Sequence, residues 1–190
     1  MIELLEINDF LDAAARKKIL AEIRRCASAA ATVYGKDSGG TVEPLVRKVS
    51  RVDVSSETRK LARELLLGCK EKIEKHFDVT LKECEEPQFL RYQAGDFFVA
   101  HQDGNTPLIY DETRFRKISV IIFLNAQAPE PLPNTYQGGE LVFHGGFPNY
   151  SYRRIVEPQP GKLVAFRSEA THEVTPVSGG ERFTIVSWYR

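Results

Sequence analysis

Two residues, His101 and Asp103, stand one position apart in the stretch FFVAHQDG. On a β-strand the side chains alternate between faces, so positions i and i+2 point the same way. An imidazole and a carboxylate placed like that converge near the end of the strand. Both suit a divalent metal such as iron, and a third ligand completes one face of an octahedron and leaves three positions open. The pair alone says little. With four His and 26 acidic residues, composition yields roughly half an HxD or HxE per chain of this size, and a surface His–Asp hydrogen bond uses the same two residues. The third ligand is His172, in EATHEVTPVSGGERFTIVSW.

A cation follows ten positions later. The segment PVSGGE predicts a reversal with Ser178 and Gly179 in the turn, so that His172 and Arg182 lie on adjacent strands of an antiparallel hairpin. That hairpin brings Arg182 within one side-chain length of the metal. The arrangement suits a keto acid with a second carboxylate, as in 2-oxoglutarate: the keto acid end chelates the metal and the distal carboxylate lies deeper. A buried carboxylate requires a partner, and the arginine fork offers two parallel charge-assisted hydrogen bonds. Thr184, two residues further along the same strand face, adds a hydroxyl.

The elements that must position these groups are legible in outline. Asn8 or Asp9 predicts the cap of a helix through FLDAAARKKILAEIRRCASAA, with Phe10, Leu11, Ile19, Leu20 and Ile23 as its apolar stripe. The stretch YGKDSGGT carries turn signals that end it. A second helix is predicted after Ser55 or Ser56, with Leu61, Leu65, Cys69 and Ile73 recurring every four residues. From about Glu86 onward the chain reads as strands: QFLRYQ, FFVAHQD, KISVIIFLN, GELVF, RRIVEP, KLVAF, HEVTPV and RFTIVSWY. Eight short strands in about a hundred residues predict a barrel or jelly roll rather than an open sheet. The expectation is a single α+β domain over residues 1–190, with 1–85 mainly helical support and 86–190 a jelly-roll core. Two long loops, 104–116 and 125–138, are expected to border the site.

Composition bounds the function classes. Lys plus Arg and Asp plus Glu each number 26 in 190 residues, giving a formal net charge of zero. That balance disfavours a broad surface for nucleic acid or anionic membrane, although Arg114, Arg116 and Lys117 form a small basic cluster. Cys26, Cys69 and Cys84 show no CxxC spacing and are read as small apolar residues. With no signal peptide and no bilayer-length apolar run, a cytoplasmic protein is the default expectation.

The stretches RYQAGDFFVAHQD, ISVIIFLN, GGELVF, PGKLVAF and THEVTPVSGGERFTIVSWY together resemble the prolyl 4-hydroxylase-like branch of the 2-oxoglutarate and iron(II) oxygenases. The likeness runs from Gln88 to Tyr189, and the helices before it resemble that branch's N-terminal support. It implies a double-stranded β-helix, iron held by His101, Asp103 and His172, and the distal carboxylate of 2-oxoglutarate on Arg182. It adds Tyr92 as a residue whose hydroxyl reaches the cosubstrate, and Trp188 as packing near the site. Collagen-type members usually carry Lys where this chain has Arg182, so the arginine leans toward the hypoxia-type and bacterial branch.

The implied reaction is hydroxylation of a C–H bond using Fe(II), 2-oxoglutarate and O2, with ascorbate in a possible supporting role. A prolyl residue in a peptide or protein is the expected substrate, with a free amino acid or another small molecule behind it. Three alternatives use parts of the same pattern: a nucleic-acid demethylase, a cupin-like metal-binding protein and a non-enzymatic interaction module. The demethylases typically carry a second arginine where this chain has Trp188, and cupins draw on more histidines. His144 is read as a rim residue, and His76 as a complement to the dipole at the end of the second helix.

Overall fold

The run ISVIIF is buried at all six positions, Ile118 to Phe123, and RFTIVSWY at all eight, Arg182 to Tyr189. Strands this apolar belong to a sheet covered on both faces, and both covers are present. The computed structural model describes residues 2–31, 43–107, 111–146 and 151–190; the turn expected in YGKDSGGT lies outside them.

The strands among the described residues are β1 (Leu4–Ile7), β2 (Ser28–Ala30), β3 (Arg47–Lys48), β4 (Ser50–Val52), β5 (Gln88–Tyr92), β6 (Phe97–His101), β7 (Ile118–Phe123), β8 (Tyr136–Gly138), β9 (Leu141–His144), β10 (Arg153–Val156), β11 (Leu163–Arg167), β12 (His172–Val174), β13 (Val177–Gly180) and β14 (Arg182–Tyr189). The helices are α1 (Ala13–Ile23) and α2 (Ser56–Phe77), with a 3-10 turn at Glu112–Phe115. A major sheet has the order β1-β11-β7-β14-β5-β4-β2, a minor sheet β10-β9-β12-β6-β3, and β13 pairs with β8 apart from both.

Alternation on the major sheet sorts its side chains into two cores. Ile118, Val120 and Ile122 of β7, with Phe183 and Ile185 of β14, join Leu66, Ile73 and Phe77 of α2. Ile121 and Phe123, with Val186 and Trp188, instead meet Phe143 and Val174 of the minor sheet. The second core fills the space between two facing antiparallel sheets, as in the expected double-stranded β-helix. The same parity sends Arg182 and Thr184 of β14 into that interior.

Helix α2 follows its sequence signals closely. The Ser55 hydroxyl accepts from the Thr58 amide at 3.3 Å, and Asp78 closes the helix in a left-handed conformation. Its buried face is Thr58, Ala62, Leu66, Cys69, Ile73 and Phe77, so Leu61 and Leu65 of the expected stripe sit on its partly buried flank.

Four expectations change. Helix α1 starts at Ala13, capped by Asp12, whose carboxylate accepts from the amides of Ala14 and Ala15, and not by Asn8 or Asp9. It stops at Ile23, because Ser28–Ala30 pairs with β4 at the sheet edge despite good helix formers there. Among the described residues, the first 85 therefore supply four strands as well as the helices, β1 pairing with β11 and β3 with β6. Finally, His172 and Arg182 are not on one hairpin. Strand β12 pairs with β6 and β9, whereas β14 pairs with β5 and β7. Ser178 and Gly179, expected in the turn, belong to β13, whose irregular pairing with β8 carries the chain from one sheet to the other.

Candidate active site

Strand β6 ends at His101, and Asp103 lies just beyond it, its amide donating to the Ser168 carbonyl at 2.8 Å. His172 opens β12 directly opposite His101 in the minor sheet. The three side chains meet: His101 Nε2 is 3.5 Å from Asp103 Oδ1, and His172 Nε2 is 3.6 Å from Asp103 Oδ2. One ligand atom from each lies within 4.8 Å of the others, a spacing that can hold a metal ion.

Both imidazoles are oriented from behind. His101 Nδ1 is 2.8 Å from the Val99 carbonyl and His172 Nδ1 is 2.9 Å from that of Ala170. A carbonyl only accepts, so each Nδ1 carries the proton and each Nε2 lone pair is left for the centre. Phe98 stacks on His101 with ring centroids 3.5 Å apart and planes 15° apart. Phe166 and Phe143 flank His172 at 4.7 and 5.7 Å. Burial, reinforced by the neighbouring His101, lowers the pKa of His172 to about 4, which keeps it neutral, the form that can ligate a metal, at physiological pH. Burial raises the pKa of the Asp103 carboxyl, but the two histidines outweigh it and hold that group well below the usual carboxylate range.

Arg182 lies across the interior on β14, paired in register with Tyr92. It is 1% exposed, and its guanidinium sits among three rings, 5.0 Å from Tyr92, 5.4 Å from Phe123 and 6.0 Å from Tyr136. Its Nε and Nη2, the Thr184 hydroxyl and the Tyr136 hydroxyl are all buried with no hydrogen-bond partner. Orphaned polar groups of this kind are costly, and a carboxylate with four lone-pair directions complements the set. Tyr92 also lines the cavity that holds His101, Asp103 and His172, together with Trp188, so the aromatic side chain spans from the cation to the triad.

The structure thus sets His101, Asp103, His172 and Tyr92 around one cavity, with Arg182 against Tyr92 and Thr184 buried two positions along the same strand, although by a different route from the expected hairpin. It adds Tyr136, Phe98 and Arg47, the last lining the triad cavity. Tyr136 stands just before the QGGEL turn, and that proximity to two glycines was the available signal. Gly139 has φ +61°, and a Cβ there would sit 3.0 Å from Arg182 Cδ. Arg47 carried no signal. Arg116 is not available to phosphate: it is 6% exposed, makes a two-point ion pair with Glu85 at 2.9 and 2.6 Å, and lies over Trp188. His144 stays outside the triad, 3.2 Å from Glu173.

Residues 87–190 match the family model of the 2OG-Fe(II) oxygenase superfamily. The chain belongs to that superfamily. Its relatives include a PKHD-type hydroxylase of Nitrosomonas europaea, 30% identical over 183 residues that cover 94% of this chain and 74% of the relative. A PKHD-type hydroxylase of Shewanella sp. strain MR-7 is 35% identical over 102 residues, 54% of this chain and 41% of the relative. The match thus spans less than half the length of the Shewanella protein. Among solved structures, a Pseudomonas putida prolyl-4-hydroxylase superposes with a TM-score of 0.73 at 23% identity, covering all of this chain and 93% of the other. A Trichoplax adhaerens prolyl hydroxylase, solved with a peptide fragment of the hypoxia inducible factor oxygen degradation domain, gives 0.72 at 17% identity over 100% and 84%. At these identities the likeness establishes the fold, a prolyl-hydroxylase-like double-stranded β-helix. No helix among the described residues is long and apolar enough to cross a membrane.

Proposed function

We propose that this chain is an Fe(II)- and 2-oxoglutarate-dependent dioxygenase that hydroxylates a prolyl residue in a peptide or protein and converts 2-oxoglutarate to succinate. His101, Asp103 and His172 hold the iron. Arg182 takes the distal carboxylate of the cosubstrate, helped by the hydroxyls of Thr184, Tyr92 and Tyr136. The observation that carries this reading is the coexistence, in one interior, of a His–Asp–His cluster and a fully buried guanidinium whose Nε and Nη2 lack partners. A metal site alone does not require the second feature.

When bound, iron with 2-oxoglutarate and O2 supplies the oxidising chemistry that places one oxygen atom in the substrate and the other in succinate, with release of CO2. The protein's own part is positional. Nδ1 protons fixed on two carbonyls aim the histidines, and Phe98, Phe143 and Phe166 pack around them. Arg182 fixes one end of the cosubstrate so that the other faces the triad. The names of the PKHD-type hydroxylase relatives and the peptide bound to the Trichoplax neighbour support a peptidyl substrate.

The test is anaerobic titration with Fe(II) and 2-oxoglutarate, followed by aerobic incubation with proline-containing peptides and mass spectrometry. The expected results are a metal-to-ligand charge-transfer band, succinate, and a gain of one oxygen atom on the peptide. His101→Ala and Asp103→Ala abolish all three. A wild-type rate of succinate formation by either variant refutes the assignment, and oxidation of a small molecule with no peptide modified refutes the prolyl substrate.

A further inference from the structure

The ladder between β7 and β14 ends at the pair Phe123 and Thr184, and the chain bends away at Asn125. Past that point the Asn125 side chain stands in for a strand. It is 2% exposed. Its Oδ1 accepts from the Phe183 amide at 2.9 Å, and its Nδ2 donates to the Glu181 carbonyl at 2.8 Å and to the Asn134 carbonyl at 3.2 Å. A backbone amide only donates and a carbonyl only accepts, so a single orientation of the carboxamide satisfies all of these partners.

Two of the contacts fall on the peptide groups either side of one residue. The Glu181 carbonyl belongs to the peptide bond entering Arg182, and the Phe183 amide to the bond leaving it. Peptide groups are planar, so holding both planes fixes the Arg182 backbone dihedrals and the direction in which its side chain departs. The third contact reaches the returning arm of loop 125–138. There the Tyr136 amide donates to the Ala126 carbonyl at 3.1 Å, the Ala128 amide donates to the Tyr136 carbonyl at 2.9 Å, and the Tyr136 ring lies 6.0 Å from the guanidinium. One buried carboxamide ties the strand that carries Arg182 to the loop arm that carries Tyr136. A tether for the loop alone would need neither contact on β14.

We infer that Asn125 is a positioning residue for the cosubstrate, which sets the place of the Arg182 guanidinium and thereby favours a keto acid with a distal carboxylate over one without. It acts through Arg182. The inference rests on the function proposed above and deepens it.

The experiment compares 2-oxoglutarate with 2-oxopentanoate, which has the same chelating end and chain length but a methyl group in place of the distal carboxylate. Both affinities are read on the Fe(II) protein by anaerobic titration of the charge-transfer band, and Fe(II) affinity by calorimetry. In Asn125→Ala, 2-oxoglutarate should bind on the order of 10- to 100-fold more weakly, the size of one hydrogen bond to a charged group. The affinities for 2-oxopentanoate and Fe(II) should stay within about threefold. Asn125→Asp keeps the acceptor for Phe183 but turns an acceptor toward two carbonyls, and should show the same selective loss. Equal losses for both keto acids overturn the inference, as does a folded variant that melts lower yet binds 2-oxoglutarate like the native protein. The native protein gives a test that needs no variant to fold. By NMR, the Asn125 carboxamide protons should exchange with solvent at least about tenfold more slowly than those of an exposed asparagine. With Zn(II) in place of Fe(II), 2-oxoglutarate should slow them further and 2-oxopentanoate should not. Exchange as fast as in an exposed asparagine, or slowed alike by both keto acids, also overturns it. A native protein that shows neither charge-transfer band nor succinate fails at the earlier step, in the function itself.

Discussion

Replacing Arg182 with methionine should separate stability from cosubstrate binding, because the guanidinium is arranged for a ligand. In the chain alone it is 1% exposed, ringed by Tyr92, Phe123 and Tyr136, and its Nε and Nη2 have no partner. A buried charge without its counterion is held at a desolvation cost, and exchanging such groups for apolar residues of similar volume is often neutral or stabilising by about 1–4 kcal/mol. With about 2–4 °C per kcal/mol for a chain of this size, the cosubstrate-free Arg182→Met protein should melt between unchanged and roughly 15 °C higher.

The same change removes two charge-assisted hydrogen bonds to the distal carboxylate, each worth about 1.5–3 kcal/mol, so 2-oxoglutarate should bind roughly 100- to 10,000-fold more weakly. Thermal denaturation without cosubstrate and anaerobic titration of the charge-transfer band measure the two halves. Arg182→Lys keeps the charge and loses the fork, and should fall between the native protein and the methionine variant in affinity. A melting midpoint more than about 4 °C below the native one without cosubstrate, or a change in affinity under about fivefold, would refute the reasoning.

Further outcomes follow from other parts of the site and its support. Because the pKa of His172 drops from 6.5 to about 4 on folding, the unfolded chain takes up its proton first as pH falls. The metal-free protein should therefore lose stability between about pH 6.5 and 4, on the order of 3 kcal/mol. Denaturant melts across that window check it, and a slope unchanged in His172→Gln would assign the effect elsewhere. Gly139→Ala puts a Cβ at φ +61°, 2.9 Å from Val177 Cγ2 and 3.0 Å from Arg182 Cδ. It should destabilise by about 1–2 kcal/mol and also weaken 2-oxoglutarate binding by displacing the guanidinium; lost stability with unchanged affinity would show that Gly139 does not set the position of Arg182. Ile73→Ala, at a fully buried site between α2 and the major sheet, should lower unfolding free energy by about 2–5 kcal/mol while leaving the charge-transfer band in place.

Local chemistry made α2 and the long strands of the core readable. A serine cap and unbroken apolar runs act over a few residues, and they appear where the sequence places them; the αL aspartate that closes α2, Asp78, was not among those signals. The missed elements depend on distant partners. Ser28–Ala30 reads as a continuing helix until β4 offers it an edge, and Leu4–Ile7 is a strand only because β11 lies beside it. Arg47 is the sharper case. A lone arginine in a two-residue strand has no pattern to find, and its place over Phe98 follows from a register that no local signal specifies.

The site itself was legible for a reason that survives the failure of its proposed route. The expected hairpin made His172 and Arg182 neighbours through the SGG turn. In the structure that segment carries the chain from one sheet to the other, so the two residues occupy opposite walls. What brings them into one interior is strand parity combined with closure. His101 and His172 face inward from paired strands of the minor sheet, whereas Arg182, Thr184, Val186 and Trp188 face inward from alternate positions of β14. On the proposed function, having His101, Asp103 and His172 on one wall and Arg182 on the other would also space the two ends of an elongated dicarboxylate, which neighbours on a single hairpin would crowd. On the same proposal, a sandwich with its polar groups divided this way would hold the cosubstrate across its core, with the far end at the unpartnered atoms of Arg182, Thr184 and Tyr136.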